Sequence, residues 1–160
     1  ASFFPPNDLV LGGKKLAGIL TEMALEGESG EVSHVVVGIG INVHQKKEDF
    51  QGEVGEIATS LDRELGGSVC RGQLAAALLE EMDLLRREVL LAPEKWLETY
   101  RSACLNIGRD VQLLRGEERQ RVRAVAVDEQ FGLVVRHEDG QVETVRSGEV
   151  SVRGLYGYAE

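Results

Sequence analysis

Pro6-Asn7-Asp8-Leu9 leading into Lys15-Leu16-Ala17-Gly18-Ile19-Leu20, and then Gly38-Ile39-Gly40-Ile41-Asn42-Val43, are the stretches whose reading decides the fold. Residues 15–25 and 33–43 are apolar and bounded by turn formers: Gly12-Gly13 stand before the first run and Glu28-Ser29-Gly30-Glu31 between the two. That pattern predicts neighbouring strands of one sheet joined by a hairpin loop, with a short strand over residues 8–11 ahead of Gly12-Gly13. In the second run, alternation sets Gly38, Gly40 and Asn42 on one face and Ile39, Ile41 and Val43 on the other. Glycines at every second position leave a strip of bare backbone on which a flat or chain-like ligand can lie, beside an amide that both donates and accepts. The same glycines equally suit a bulge or close packing by a helix. Lys15 opens the first apolar run, where its ammonium can reach past the strand end toward an anion. On position alone it is also an ordinary solvated lysine.

Working outward, residues 44–55 turn polar through Gln45-Lys46-Lys47-Glu48-Asp49, which predicts a mobile loop beside the glycine strip. Residues 56–65 read as one helix stopped by Gly66-Gly67. Leu74, Leu78, Met82, Leu85 and Val89 then recur at three- and four-residue steps, with Glu80, Glu81, Asp83, Arg86, Arg87 and Glu88 on the other side. This is an amphipathic helix whose stripe is expected to pack on the sheet. Pro93 suits the first turn of a further helix in which Trp96, Leu97 and Tyr100 share a face. After Gly108 the period changes to two. Apolar runs at 111–114, 122–127, 133–135, 142–145 and 150–152 are separated by Gly116-Glu117-Glu118, Asp128-Glu129, Asp139-Gly140 and Ser147-Gly148. Five short strands of this kind make a small barrel, with a domain boundary near residues 106–108.

Composition bounds the rest. With 42% hydrophobic and 28% charged residues, the 160-residue chain is an ordinary soluble globular protein, long enough for one medium and one small domain. Its net charge is −9; residues 1–107 hold 10 Lys+Arg against 17 Asp+Glu and residues 108–159 hold 8 against 9. Neither part is basic by count, so nucleic-acid binding by this chain is not expected. Cys70 and Cys104 stand far apart in helical patterns and read as small buried residues, giving no disulfide framework or metal site and a reducing cytoplasm as the compartment. No apolar run is long enough to span a membrane, and no signal peptide with a basic start is present. The chain starts abruptly at Ala1, more like a cut through a larger protein than a native beginning.

Other chemistries lack their residues. A dinucleotide fingerprint wants glycine where Val43 stands. A phosphate loop wants Ser or Thr after Gly13-Lys14 and a glycine at the position of Asp8. No two of His34, His44 and His137 have a zinc-helix spacing, and no nucleophile elbow is present; His34 and His44 read as surface residues.

The three motifs in this order and at these distances resemble the second half of the catalytic domain of biotin protein ligases, the biotin–[acetyl-CoA carboxylase] ligases. The tail after Gly108 is similar to the SH3-like domain that ends those enzymes, so the resemblance covers nearly the whole chain. It implies an α+β fold in which a mixed or antiparallel sheet packs on helices, part of the class II synthetase/biotin ligase-like arrangement, over residues 1–107. A small SH3-like β-barrel over residues 108–160 follows.

The implied chemistry has two steps. Biotin and ATP give biotinyl-5'-AMP and pyrophosphate, and a lysine of a biotin carboxyl carrier domain then attacks the mixed anhydride and releases AMP. The first step brings a carboxylate against a phosphate, whose repulsion at about 4 Å is about 1 kcal/mol in water and about 4 kcal/mol at intermediate dielectric. The resemblance assigns the offsetting cation to Lys15, as the catalytic residue near the biotin carboxylate and the α-phosphate. It places Gly18 and Leu20 along the biotin pocket, Gly40 and Ile41 facing it from the next strand, and Asn7 and Asn42 near the nucleotide. Asp8 is either part of that site or the start of an Asx turn. Mg²⁺ is expected to arrive with ATP, held by phosphates, with no dedicated metal ligands.

Two departures bear on activity. Phe4-Pro5 stand where the family has Lys-Trp, and the glycine- and arginine-rich loop that covers biotin and phosphate in the family is not in this sequence. This chain alone is therefore expected to form biotinyl-adenylate inefficiently. A binding module without catalysis, or a lipoate/octanoate-transferring relative, are the other readings. A homodimer through exposed sheet edges is a further expectation from the family.

Overall fold

Glycines, alternating apolar residues and one long amphipathic stretch resolve into two antiparallel sheets separated by helices in a computed structural model. The structure describes residues 2–4, 7–27, 30–52, 54–146 and 151–158, with the side chains of 2–4 and 151–158 left aside. The expected turns at Glu28-Ser29 and Ser147-Gly148, together with Pro5, Pro6 and Val150, lie outside the described residues.

The first sheet has the order β1 (Ser2–Phe4), β2 (Asp8–Leu11), β3 (Lys14–Leu25), β4 (Val32–Ile41), all antiparallel. Gly12 and Gly13 close the β2–β3 hairpin with φ of 58° and 73°, the doubly left-handed geometry of the turn that matches strand twist and favours glycine. Beyond that end β3 and β4 run on as a long ribbon whose apolar residues stay in solvent: Leu20, Met23, Val35 and Val36 are each more than half exposed.

The helical region departs from the sequence expectation in one instructive way. Residues 56–65 do not form one helix. They give α1 (Val54–Ile57) and α2 (Leu61–Leu65), with Ala58, Thr59 and Ser60 extended and buried between them. The break is tertiary: Ala58 bridges in parallel to Lys15, and the Thr59 amide donates to the Lys15 carbonyl at 2.9 Å. Gly66 ends α2 in the left-handed conformation, φ 67°, as the Gly-Gly pair predicts.

The long helix α3 (Arg71–Glu88) carries the expected stripe, but the stripe is half-buried and no residue of the helix is fully enclosed. Cys70, expected to be buried, caps α3 in an exposed position, whereas Cys104 is buried; neither forms a disulfide. Among the described residues, the polar stretch 44–55, expected as a loop, contains a 3-10 turn at Lys47–Asp49 and the first residues of α1.

The helix α4 (Pro93–Ala103) opens on its proline and turns Leu97 inward. Tyr100 meets Phe131 edge to face at 5.3 Å, and burial pushes its hydroxyl up to about 12. Arg101 Nε donates to the Val127 carbonyl at 2.9 Å, so α4 is fastened to the second sheet by both apolar and polar contacts.

That second sheet runs β8 (Val142–Val145), β7 (Leu133–Arg136), β6 (Glu118–Val127), β5 (Asp110–Arg115), β9 (Ser151–Tyr158), antiparallel throughout. One face is dry: Val111, Leu113, Val122, Ala124, Leu133 and Val135 lie within a cluster that also takes in Leu97, Cys104 and Val10. Five short strands with this alternation are compatible with the small barrel expected. Among the described residues, no helix is long and apolar enough to cross a membrane.

Candidate functional site

The site begins with a bulge. Asp8 pairs with Gly18 and Leu9 with Ala17, but Val10 pairs with Lys15, which leaves Leu16 as one extra residue in β3. In an unbroken strand residues 15 and 18 would point to opposite faces. The extra residue returns Lys15 to the face of Asp8 and Gly18, a use of bulges common beside functional sites.

There the Lys15 ammonium lies 2.6 Å from Asp8 Oδ1, with side-chain exposures of 38% and 14%. The ammonium thus reaches solvent while the carboxylate is mostly enclosed. The pair lies over Gly18, where an added Cβ would come within 3.6 Å of Lys15 Cε, 3.7 Å of Nζ and 3.8 Å of Asp8 Oδ1. Gly18 in turn faces Gly40, and Leu20 faces Gly38. The result is an open strip of backbone that ends at a cation held beside a carboxylate.

The remaining residues of the predicted set divide. Asn7 takes the Ile19 amide on its carbonyl at 2.9 Å and stands next to Asp8. Leu20 is 63% exposed and continues the face of Gly18. Asn42 donates its amide to the Leu16 carbonyl and accepts the Leu61 amide at 3.0 Å, beside the bulge. Ile41 pairs with Ala17 on the opposite face from Gly40 and lines a small cavity with Val43, His44, Gln45, Asp49 and Arg71. The structure thus brings Asp8, Lys15, Gly18 and Gly40 together, and sets Ile41 behind them.

One part of the site was not anticipated from sequence. The segment 58–62 is stitched on one side to Lys15 through Ala58 and Thr59, and on the other to the end of β4. The Leu61 and Asp62 amides donate to the Asn42 and Val43 carbonyls at 3.0 Å each, and Ser60 Oγ donates to the Gln45 carbonyl at 2.6 Å. Thr59 and Ser60 are completely buried, yet their hydroxyls are satisfied: Thr59 Oγ1 donates to Glu64 Oε1 at 2.6 Å. Glu64 leans over Gly12, where a Cβ would meet its Oε2 at 2.7 Å. His44 Nδ1 lies 2.8 Å from Asp62 Oδ2, and the Val69 amide donates to Asp62 Oδ1; together they hold the Asp62 carboxyl below its usual range. Buried hydroxyls at Thr59-Ser60 between two apolar positions were the available signal.

Comparison with known proteins bears on the family and the fold. Residues 2–42 match the Biotin/lipoate A/B protein ligase family. The bifunctional ligase/repressor BirA of Bacillus spizizenii is 31% identical over 150 residues, covering 92% of this chain and 45% of that protein. The biotin–[acetyl-CoA-carboxylase] ligase of Mycobacterium tuberculosis is 34% identical over 147 residues, covering 91% of this chain and 50% of that protein. Among solved structures, the biotin protein ligase of Aquifex aeolicus in complex with biotin and ATP superposes with a TM-score of 0.78 at 27% identity, over 96% of this chain and 62% of that one. By sequence and by fold the chain is similar to biotin protein ligases over nearly its whole length, and it spans about half the length of the curated relatives it matches.

Proposed function

We propose that this chain supplies part of the adenylation site of a biotin protein ligase, which activates biotin with ATP to biotinyl-5'-AMP and passes it to a lysine of a biotin carboxyl carrier domain. The observation that carries the reading is the Lys15 ammonium held over Gly18 at the end of a bare backbone strip. A flat bicyclic ligand with an acyl chain suits such a strip, and its carboxylate reaches the cation. There Lys15 offsets the repulsion between carboxylate and α-phosphate and steadies the charge that develops as pyrophosphate leaves. Asp8 holds the ammonium in place before substrate arrives and yields it to the substrate anions. Asn7 and Asn42 flank the strip on the nucleotide side, and Leu20 and Gly40 line the acyl side. Ile41 acts through its backbone. Asp62 and the segment 58–62 fix the distance between Lys15 and Asn42.

Mg²⁺ would come with ATP. Its ligands there would be mainly the phosphates of the nucleotide. The two sheets are proposed as two domains, residues 1–107 and 108–160, and the unbridged cysteines support a reducing cytoplasm.

Exchange of labelled pyrophosphate into ATP, with Mg²⁺ and with or without biotin, tests this reading. Biotin-dependent exchange that is weak in the chain alone and abolished in Lys15→Ala is the expected result. Exchange that responds to lipoate or octanoate in place of biotin would move the site to the lipoate branch of the same family.

A further inference from the structure

The charge count along residues 108–159 hides a basic face. Arg119, Arg121 and Arg123 alternate with Gln120 and Val122 on β6, so all three guanidiniums leave the same side of the second sheet, and all are exposed. The next strand adds to them: Arg136 on β7 pairs directly with Arg123. On β5 Gln112 separates Arg121 from the position of Arg153 in the register of β9. Among the described residues, the acid registered on this face is Asp110, which Arg121 and Arg123 reach at 2.7 and 3.2 Å. The other described acids of the sheet stand elsewhere: Glu118, opposite Arg115, alternates to the other face of β6, Glu143 serves Arg115 and His137, Asp128 serves Arg146, and Glu117, Glu129, Glu138 and Asp139 occupy turns.

Like charges directly opposite one another across a strand pair destabilise a sheet. Asp110 answers Arg123 from the other side, but Arg136 stands directly opposite a like charge and adds to the positive face. We propose that the outward face of β5, β6 and β7, built on Arg119, Arg121, Arg123 and Arg136, docks an acidic protein surface. Guanidiniums at strand spacing offer planar forks that match carboxylates two by two. Nucleic acid fits less well. Among the described residues the face presents Gln112, Leu114, Ala126, Val134, Val142 and Thr144 between the charges and no aromatic ring for base stacking, and the turns at its edge are acidic. Carboxylates spaced along a protein surface avoid that rim more easily than a continuous phosphate backbone.

The inference is independent of the adenylation site and is tested without it. A fluorescent peptide of about ten glutamates and a single-stranded oligonucleotide of similar charge are titrated with the intact chain at several salt concentrations. The expected result is saturable, salt-sensitive binding of the peptide. The variant Arg119→Gln/Arg123→Gln/Arg136→Gln is expected to bind it at least about tenfold more weakly and with a shallower salt dependence. A control variant, Arg86→Gln/Arg87→Gln on α3, should bind as wild type. Preferential binding of the oligonucleotide, binding of neither probe, or unchanged peptide binding by the triple variant would each overturn the proposal. The single variant Arg136→Gln supplies a second readout. Its thermal midpoint is expected to equal or exceed that of wild type, and a fall of more than about 3 °C would mark the arginine as structural and overturn the proposal.

Discussion

At Gly18 the absence of a side chain keeps the strip bare, since an added Cβ would only touch the Lys15–Asp8 pair at ordinary contact distance. The strand would tolerate a larger residue at this position, since β-branched side chains favour strands, but the space above it is held by the Lys15–Asp8 pair. Gly18→Val is therefore expected to leave the thermal midpoint within about 3 °C of wild type while removing affinity for a biotinyl-adenylate analogue. Retained affinity in the folded variant would mean that the ligand does not lie along this strip. The alternating glycines were legible in the sequence as a bare strip, although on pattern alone they equally suited a bulge or close packing by a helix. The orientation of Lys15 was not. Residues 15 and 18 differ by an odd number, and only the extra residue at Leu16 puts them on one face. No turn former or proline marks that bulge, so nothing local announces it.

At the scale of elements, the segment 58–62 shows how tertiary hydrogen bonds override a helical pattern. Residues 54–65 contain no proline, and their apolar spacing continues through Ala58, yet the Thr59 amide is taken by Lys15 and the Leu61 amide by Asn42. A helix would have satisfied the same donors locally, which is why the sequence read as one. The buried Thr59 hydroxyl makes the arrangement testable. Thr59→Val keeps the shape but loses the bond to Glu64, and is expected to cost about 1 kcal/mol, or about 2–4 °C in thermal midpoint. A stability equal to wild type would show that the Glu64 contact carries no weight. The second sheet was easier to read: five alternating runs became five strands in order, because each is bounded by glycine or acidic turns. Its arginine face was present in the sequence as Arg119, Arg121 and Arg123 at a period of two, but counting charge over a whole segment averages it away.

For the whole molecule, the dependence of stability on pH follows from where the carboxylates are engaged. Asp62, Asp83, Asp110, Asp128 and Glu143 are all held below their usual range, by His44, Arg86, Arg121, the Gly132 amide and Arg115 respectively. A carboxyl whose folded value is depressed stabilises the fold above its unfolded value and loses that contribution as pH falls through the folded one. The thermal midpoint is thus expected to be flat from about pH 7 to 5 and to fall steadily from about pH 4.5 to 2.5. Asp128→Asn, which cannot lose a proton, is expected to start lower at neutral pH and to fall less on acidification. An identical acid profile in that variant would show that the turn it braces is not linked to unfolding.

The central claim is that the Lys15 cation and the glycine strip together hold an acyl-adenylate. Calorimetric titration of the chain with biotinyl-5'-AMP, for wild type and for Lys15→Ala, tests it most directly, because it needs neither turnover nor the acceptor protein. Wild type is expected to bind one equivalent saturably. Lys15→Ala is expected to bind at least about tenfold more weakly, equivalent to about 1.4 kcal/mol, with a thermal midpoint near that of wild type. No binding by the folded wild-type chain, or equal binding by both, would contradict the assignment of this strip and this lysine.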